Sequence, residues 1–126
     1  MKAQTESAVR IALVVDDEPA IRRMVTLALE DLGWVETYSA PDAETALDIL
    51  ASQKPDIVIT DVKLPGVDGV ELTERVKEGT GLSTSSATPV ILMSAFGEPP
   101  NHRGDRFLAK PFDIADFAAA VGPYLD

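Results

Sequence analysis

The sequence predicts an α/β protein in which five short strands and their connecting helices form a doubly wound parallel sheet. Three observations predict it. The runs IALVV (11–15), DIVIT (56–60) and VILMSA (90–95) are apolar and rich in β-branched residues, as strands buried on both faces require. Between such runs, apolar residues recur at helical spacing. Strands alternating with helices imply parallel pairing through right-handed crossovers.

The elements follow in order. After IALVV, Pro19 suits the first turn of a helix, where its missing N–H costs nothing. Ile21, Met24, Val25, Ala28, Leu29 and Leu32 then form one apolar stripe, and Gly33 stops it. VETYSA (35–40) is a second, weaker strand. Pro41 and Asp42 precede a stripe of Ala43, Ala46, Leu47 and Leu50. DIVIT is the third strand, and LPGVDG (64–69) supplies turn chemistry. Leu72 and Val76 share one face of a third helix that Gly79 ends. GLSTSSAT (81–88) is a small, polar connection with no internal pattern and a flexible composition. VILMSA and RFLAK (106–110) are the last two strands. The final helix carries Ile114, Phe117, Ala118, Val121 and Leu125 on one stripe, with Asp113 as its N-cap.

One element is missing from the alternation. The segment AFGEPPNHRGDR (95–106) has no apolar stripe, and it contains Pro99, Pro100, Gly97 and Gly104. Proline costs about 3 kcal/mol in a helix interior and glycine about 1 kcal/mol. A loop is therefore expected where a helix between strands four and five would stand.

With 126 residues the chain suits a single domain over 1–126, its core lying between about residues 10 and 125. No repeat and no second domain is visible. Hydrophobic residues make up 45% and charged residues 25%, in the range of ordinary globular domains. No apolar run approaches the roughly 18 residues that span a membrane. The first ten residues, MKAQTESAVR, hold no apolar core of a signal peptide. The chain has no cysteine, which excludes thiol chemistry and fits a cytoplasmic location. Its formal net charge of −10 opposes direct binding to a nucleic-acid backbone.

In doubly wound sheets, function sits beyond the carboxyl ends of the strands. There the sequence places Asp16, Asp17 and Glu18 after strand one, Asp61 after strand three, Ser94 after strand four and Lys110 after strand five. In the flavodoxin-like strand order, 2-1-3-4-5, strands one and three are neighbours. Asp16, Asp17 and Asp61 then form one carboxylate cluster. Two like charges about 4 Å apart repel by roughly 1–4 kcal/mol, so the cluster calls for cations. Lys110 supplies one. Mg2+, which prefers oxygen ligands and joins carboxylates to phosphoryl groups, supplies the other. The chemistry that fits is acyl phosphate formation. Asp61 is the candidate nucleophile, Asp16 and Asp17 hold the metal, and Lys110 and Ser94 bind phosphoryl oxygens. An isolated Asp-Asp pair is more often a cap or a solvated turn. The conjunction at matched strand ends sets this one apart.

The segments VVDDEP, VITDVKLPGVDG, ILMSA and FLAKPF resemble the four signature segments of the response-regulator receiver domain of two-component signalling. The resemblance runs from about residue 11 to residue 125. It implies that Asp61 accepts a phosphoryl group from the phosphohistidine of a histidine kinase or a histidine phosphotransfer protein, and that a downstream protein reads the result. It also implies that Asp16, Asp17, Asp61 and the backbone carbonyl of Lys63 bind Mg2+. Ser94 matches the switch hydroxyl, Phe107 the aromatic switch position, and Lys110 the phosphoryl-binding lysine, followed by a cis proline, here Pro111. The chain departs from the family in its missing helix, which normally helps to form the output face. Phe107 also lacks the hydroxyl of a tyrosine.

Other readings stand beside this one. Taken alone, Ser94 is more often a small strand-end residue; Lys110 also reads as a surface lysine, and Phe107 as core or as both core and switch. The side chain of Lys63 is either solvated or held over the phosphorylation site. Trp34, Tyr38 and His102 read most simply as packing or surface residues. As to class, the chain is a phospho-acceptor rather than an enzyme with a separate substrate. It stands alone, or is a receiver cut from a hybrid kinase or multidomain regulator. A Mg2+-dependent aspartyl-phosphate phosphohydrolase would need a further acid/base and a substrate pocket. A pure interaction scaffold would not need the carboxylate set.

Overall fold

The computed structural model describes residues 10–33 and 35–125. Trp34 and the N-terminal nine residues, on which two of the readings above fall, lie outside the described residues. The elements are β1 (Arg10–Val15), α1 (Pro19–Asp31), β2 (Val35–Ala40), α2 (Ala43–Leu50), β3 (Ile57–Asp61), α3 (Gly69–Glu78), β4 (Val90–Ser94), β5 (Arg106–Ala109) and α4 (Ile114–Leu125). All strand pairs are parallel, and the sheet order is β2-β1-β3-β4-β5, as the sequence predicts.

Strand side chains alternate between two cores, because successive residues point to opposite faces. Ala12, Val14, Ile57, Ile59, Ile91 and Met93 face α1 and α4, where Val25, Leu29, Phe117 and Val121 meet them. Leu13, Val15, Val58 and Val90 face α2 and α3, where Ala46, Leu50, Leu72 and Val76 close the second layer. Asp42 and Asp68 cap their helices, accepting from Thr45 N at 2.8 Å and Glu71 N at 2.9 Å. Asp113 Oδ1 accepts from Asp116 N at 2.7 Å, the capping contact expected of it. Gly33 and Gly79 take the left-handed conformation at the ends of α1 and α3.

Several expectations are corrected. The apolar stripes include Leu32 and Ile114, yet these are 40% and 59% exposed. Both sit at helix ends, beyond the reach of the sheet. Asp56 precedes β3 instead of opening it, and its Oδ2 accepts from Ile11 N at 2.8 Å, tying down β1. Asp61 is the last residue of β3 rather than the first beyond it, and β4 closes on Ser94, one residue short of the run VILMSA. The polar connection after α3 is pinned, not loose. Ser83 Oγ donates to Leu50 O at 2.8 Å, and Lys77 Nζ donates to Thr88 O at 2.7 Å.

Among the described residues, no helix forms between β4 and β5. The backbone turns at residues 100–101 and returns across the sheet. A β-carbon at Gly104 would stand 3.1 Å from both Leu92 Cδ1 and His102 Nδ1, so the loop lies directly on β4. His102 Nε2 is 2.7 Å from Glu98 Oε2, and its Nδ1 accepts from Gly104 N at 3.0 Å. That pattern makes Nε2–H the donor to Glu98. The ring is a spacer that holds the loop in shape.

Candidate functional site

The site lies at the carboxyl edge of β1, β3, β4 and β5. Asp16 leaves β1 with its N–H donated to Ala40 O at 3.1 Å, so it begins where the pairing with β2 ends. It is fully buried. Its Oδ1 accepts from Glu18 N at 2.9 Å, and its Oδ2 accepts from Lys110 Nζ at 2.8 Å. Arg22, one turn into α1, donates from Nη1 to Asp16 O at 2.7 Å. Asp17 is exposed beside it.

Asp61 ends β3 and is 7% exposed. Its Oδ2 lies 3.3 Å from Lys110 Nζ, and its carboxylate accepts a hydrogen bond from the Lys63 amide. Carboxylate oxygens of Asp16, Asp17 and Asp61 all lie within 4.8 Å of one another. Gly69 fixes the backbone here. Its N–H donates to Val62 O at 2.7 Å, and a β-carbon on it would overlap the carbonyl of Asp61. Only glycine lets α3 approach β3 this closely.

The charges follow from this geometry. Burial pushes the Asp61 carboxyl above its ordinary pKa; the Asp16 charge adds to the rise, and the ammonium of Lys110 opposes it without cancelling it. Burial alone would lower Lys110. The hydrogen bond and charge of Asp16, with the charge of Asp61, more than offset that, so the ammonium is held above its usual pKa. The lysine is thus a fixed cation between two acids, and 3.8 Å from Glu18 as well.

Ser94 is buried at the end of β4, beside Lys110, whose N–H donates to Ser94 O at 2.9 Å. Ser94 Oγ accepts from Phe96 N at 2.9 Å. The Lys110–Pro111 peptide is cis. Lys63 is exposed, and its ammonium lies 5.1 Å from the centroid of the Phe96 ring, a cation–π contact across the mouth of the site. Phe107 is half-buried on β5, opposite Leu92. The structure therefore gathers Asp16, Asp17, Asp61, Lys110 and Ser94 at one edge and sets Phe107 further along β5.

Sequence reasoning missed Arg22, Gly69 and Phe96. Arg22 had a weak signal, being one of two adjacent arginines in the first turns of a helix that begins beside the acids. Phe96 had none.

An all-oxygen set of three carboxylates, two of them in contact with one ammonium, has the chemistry of a site for a hard divalent cation. The same surroundings suit a phosphoryl group, whose oxygens require positive charge and hydrogen-bond donors.

Comparison with known proteins agrees with this architecture. The response regulator receiver domain family profile matches residues 12–122. Sporulation initiation phosphotransferase F of Bacillus subtilis is 35% identical over 119 residues, 90% of this chain and 91% of that protein. The phosphate regulon transcriptional regulatory protein PhoB of Pseudomonas aeruginosa is 34% identical over 115 residues; the chain spans 48% of its length. Among solved structures, the chemotaxis response regulator CheY4 of Vibrio cholerae superimposes with a TM-score of 0.81 at 25% identity, covering 92% of this chain and 98% of that one. The receiver domain of the hybrid histidine kinase CckA superimposes with a TM-score of 0.74 at 33% identity, covering 92% and 99%. The sheet order, the acidic edge and these likenesses together mean that the chain belongs to the response regulator receiver domain family of two-component signalling.

Proposed function

We propose that Asp61 is the phospho-acceptor of this receiver domain. The observation that carries the reading is the meeting of three carboxylates within 4.8 Å with Lys110 3.3 Å from Asp61. The donor is a phosphohistidine of a histidine kinase or a histidine phosphotransfer protein. An Asp61 carboxylate oxygen attacks phosphorus, an O–P bond forms, and the P–N bond breaks with its electron pair left on the donor imidazole. Asp16, Asp17, Asp61 and the Lys63 carbonyl would hold Mg2+, which when bound neutralises charge on the phosphoryl oxygens.

The chain's own residues supply the rest. Lys110 moves its ammonium from the shared contact with Asp16 and Asp61 to a phosphoryl oxygen. Ser94 gives up Phe96 N as its partner and donates its hydroxyl to another. Arg22 holds the Asp16 carbonyl, which keeps the acid in place while charge changes beside it. Phe107 follows the shift of Ser94 as the aromatic switch. This is a population shift driven by a local charge.

The chain acts as a phospho-acceptor that catalyses its own phosphorylation and dephosphorylation, not as an enzyme with a separate substrate. Its downstream partner is a protein. The net charge of −10 disfavours direct contact with nucleic acid. Several relatives are transcriptional regulators by name and are at least twice as long as the matched region, so this receiver also suits a module of a larger regulator. A cytoplasmic site of action fits both. Among the described residues, no helix is long and apolar enough to cross a membrane.

The test is intact mass after incubation with a small acyl-phosphate donor, with and without Mg2+. A single phosphoryl adduct that needs Mg2+ and is lost in Asp61→Asn supports the proposal. No adduct leaves only a scaffold, and multiple turnover of an organic phosphate favours the phosphohydrolase.

A further inference from the structure

The loop that replaces the helix between β4 and β5 leaves a groove of about 540 Å³ between itself and the turn after β3. We propose that this groove docks an output protein through a segment that sets a lysine or arginine beside an apolar side chain.

The lining has two chemistries. Leu64, Phe96, Pro99 and Pro100 form apolar walls, and Phe96 is 80% exposed, an unusual position for a large aromatic ring. Asp68 and Glu98 are the acids of the lining. Among the described residues, no lysine or arginine pairs with either of them. The one cation of the lining, Lys63, already rests against the Phe96 ring. A basic side chain entering the groove meets two carboxylates. An acidic one meets a single lysine and two like charges. The apolar walls then receive the neighbouring side chain, the pairing of buried anchor and polar rim that interfaces use.

The groove is a built feature. At its far end the loop is tied to α3, with Arg103 Nη1 3.1 Å from Glu74 Oε1 and Lys77 Nζ 2.6 Å from Asp105 Oδ2. Glu98 is fixed within the loop by His102. Consecutive prolines keep the near half from winding into a helix that would fill the space. At its near end, Phe96 N is held by Ser94 Oγ. A phosphoryl group that draws this hydroxyl away releases the aromatic wall, so occupancy of the groove responds to the acceptor site. That coupling rests on Asp61 phosphorylation. Docking itself does not.

The test is titration of the 15N-labelled whole, unphosphorylated chain with an acetylated, amidated tetrapeptide of alternating leucine and arginine, and with its leucine–glutamate counterpart. The expected result is saturable amide shifts at residues 62–64 and 94–100 with the arginine peptide alone. Phe96→Ala is expected to weaken binding by about fivefold or more. Glu98→Gln, which keeps a partner for His102, is expected to weaken it by about two- to fivefold. The proposal is overturned by shifts that do not saturate, by shifts centred on another face, or by equal shifts with the glutamate peptide. Groove shifts on raising the protein concentration alone also overturn it, because they name a second copy as the occupant. A chain shown by mass to carry the phosphoryl group is expected to bind with altered affinity; an unaltered affinity overturns the coupling. Because the first titration needs no phosphorylation, it can fail while Asp61 still accepts a phosphoryl group, and the reverse holds too.

Discussion

The ammonium of Lys110 lies 2.8 Å from Asp16 Oδ2, although 94 positions separate the two residues. Its distance to Asp61 is longer, 3.3 Å. The cation is therefore anchored on the buried acid and only leans on the proposed acceptor. Asp61 is thus held less tightly by the lysine than Asp16 is, which suits the acceptor role proposed for it.

The first prediction concerns pH. Asp61 must be ionised to act as nucleophile, and burial already raises its pKa. Lys110 opposes that rise. Lys110→Ala is therefore expected to push the Asp61 pKa higher still and to move the acid limb of the phosphorylation rate toward higher pH. The rate profile with an acyl-phosphate donor checks this. A limb that stays in place would show that the lysine does not act on Asp61 electrostatically.

The second concerns stability. The folded-state pKa of Asp61 lies above its ordinary value, so the folded chain holds that proton more tightly than the unfolded chain. The contribution of this group to stability therefore rises as pH falls through its folded pKa. At neutral pH its ionised form works against folding. Asp61→Asn, which removes the charge and keeps the shape, is expected to raise the thermal midpoint at pH 7. The gain should shrink as the pH is lowered. A fall in the midpoint at pH 7 would contradict the assigned cause.

The third concerns Gly69. A methyl group here overlaps the Asp61 carbonyl, so α3 or β3 must shift. Gly69→Ala is expected to lose about 1–3 kcal/mol, as overpacking does, and to slow phosphorylation by displacing Asp61. Denaturant unfolding and the adduct rate measure the two effects. Wild-type values of both would remove Gly69 from the account of the site.

The fourth concerns Lys77. Its buried ammonium donates to Asp105, Thr88 and Ser86, tying α3 to the start of β5. Lys77→Met removes charge-assisted bonds and is expected to cost about 2–3 kcal/mol, with Asp61 still phosphorylated. Unchanged stability in urea would mean that the latch contributes nothing.

Much of this was legible in the sequence, for physical reasons. Parallel strands buried on both faces leave uninterrupted apolar runs, so β1, β3 and β4 announced themselves. Strand ends gather on one edge, so the sequence alone brings Asp16, Asp61, Ser94 and Lys110 together. Pro99 and Pro100 made the missing helix visible, because their cost in a helix is local. Long-range side-chain bonds were not legible. Nothing in the spacing of Lys77 and Asp105, or of Arg22 and the Asp16 carbonyl, marks them as partners. Stripe ends failed for a related reason: periodicity gives the face of a helix, while the extent of the sheet decides whether Leu32 or Ile114 is covered. Phe96 looked like loop composition, and only the packing of the loop against Lys63 revealed its place.

The most direct test of the central claim locates the phosphoryl group. The chain is phosphorylated with Mg2+ and an acyl-phosphate donor, then treated with borohydride, which reduces an acyl phosphate to an alcohol and marks the residue that carried it. Peptide mass mapping reads the mark. Reduction is expected at Asp61 alone, with none in chain prepared without Mg2+. A mark on Asp16 or Asp17 instead, or none in a chain carrying the adduct, would contradict it.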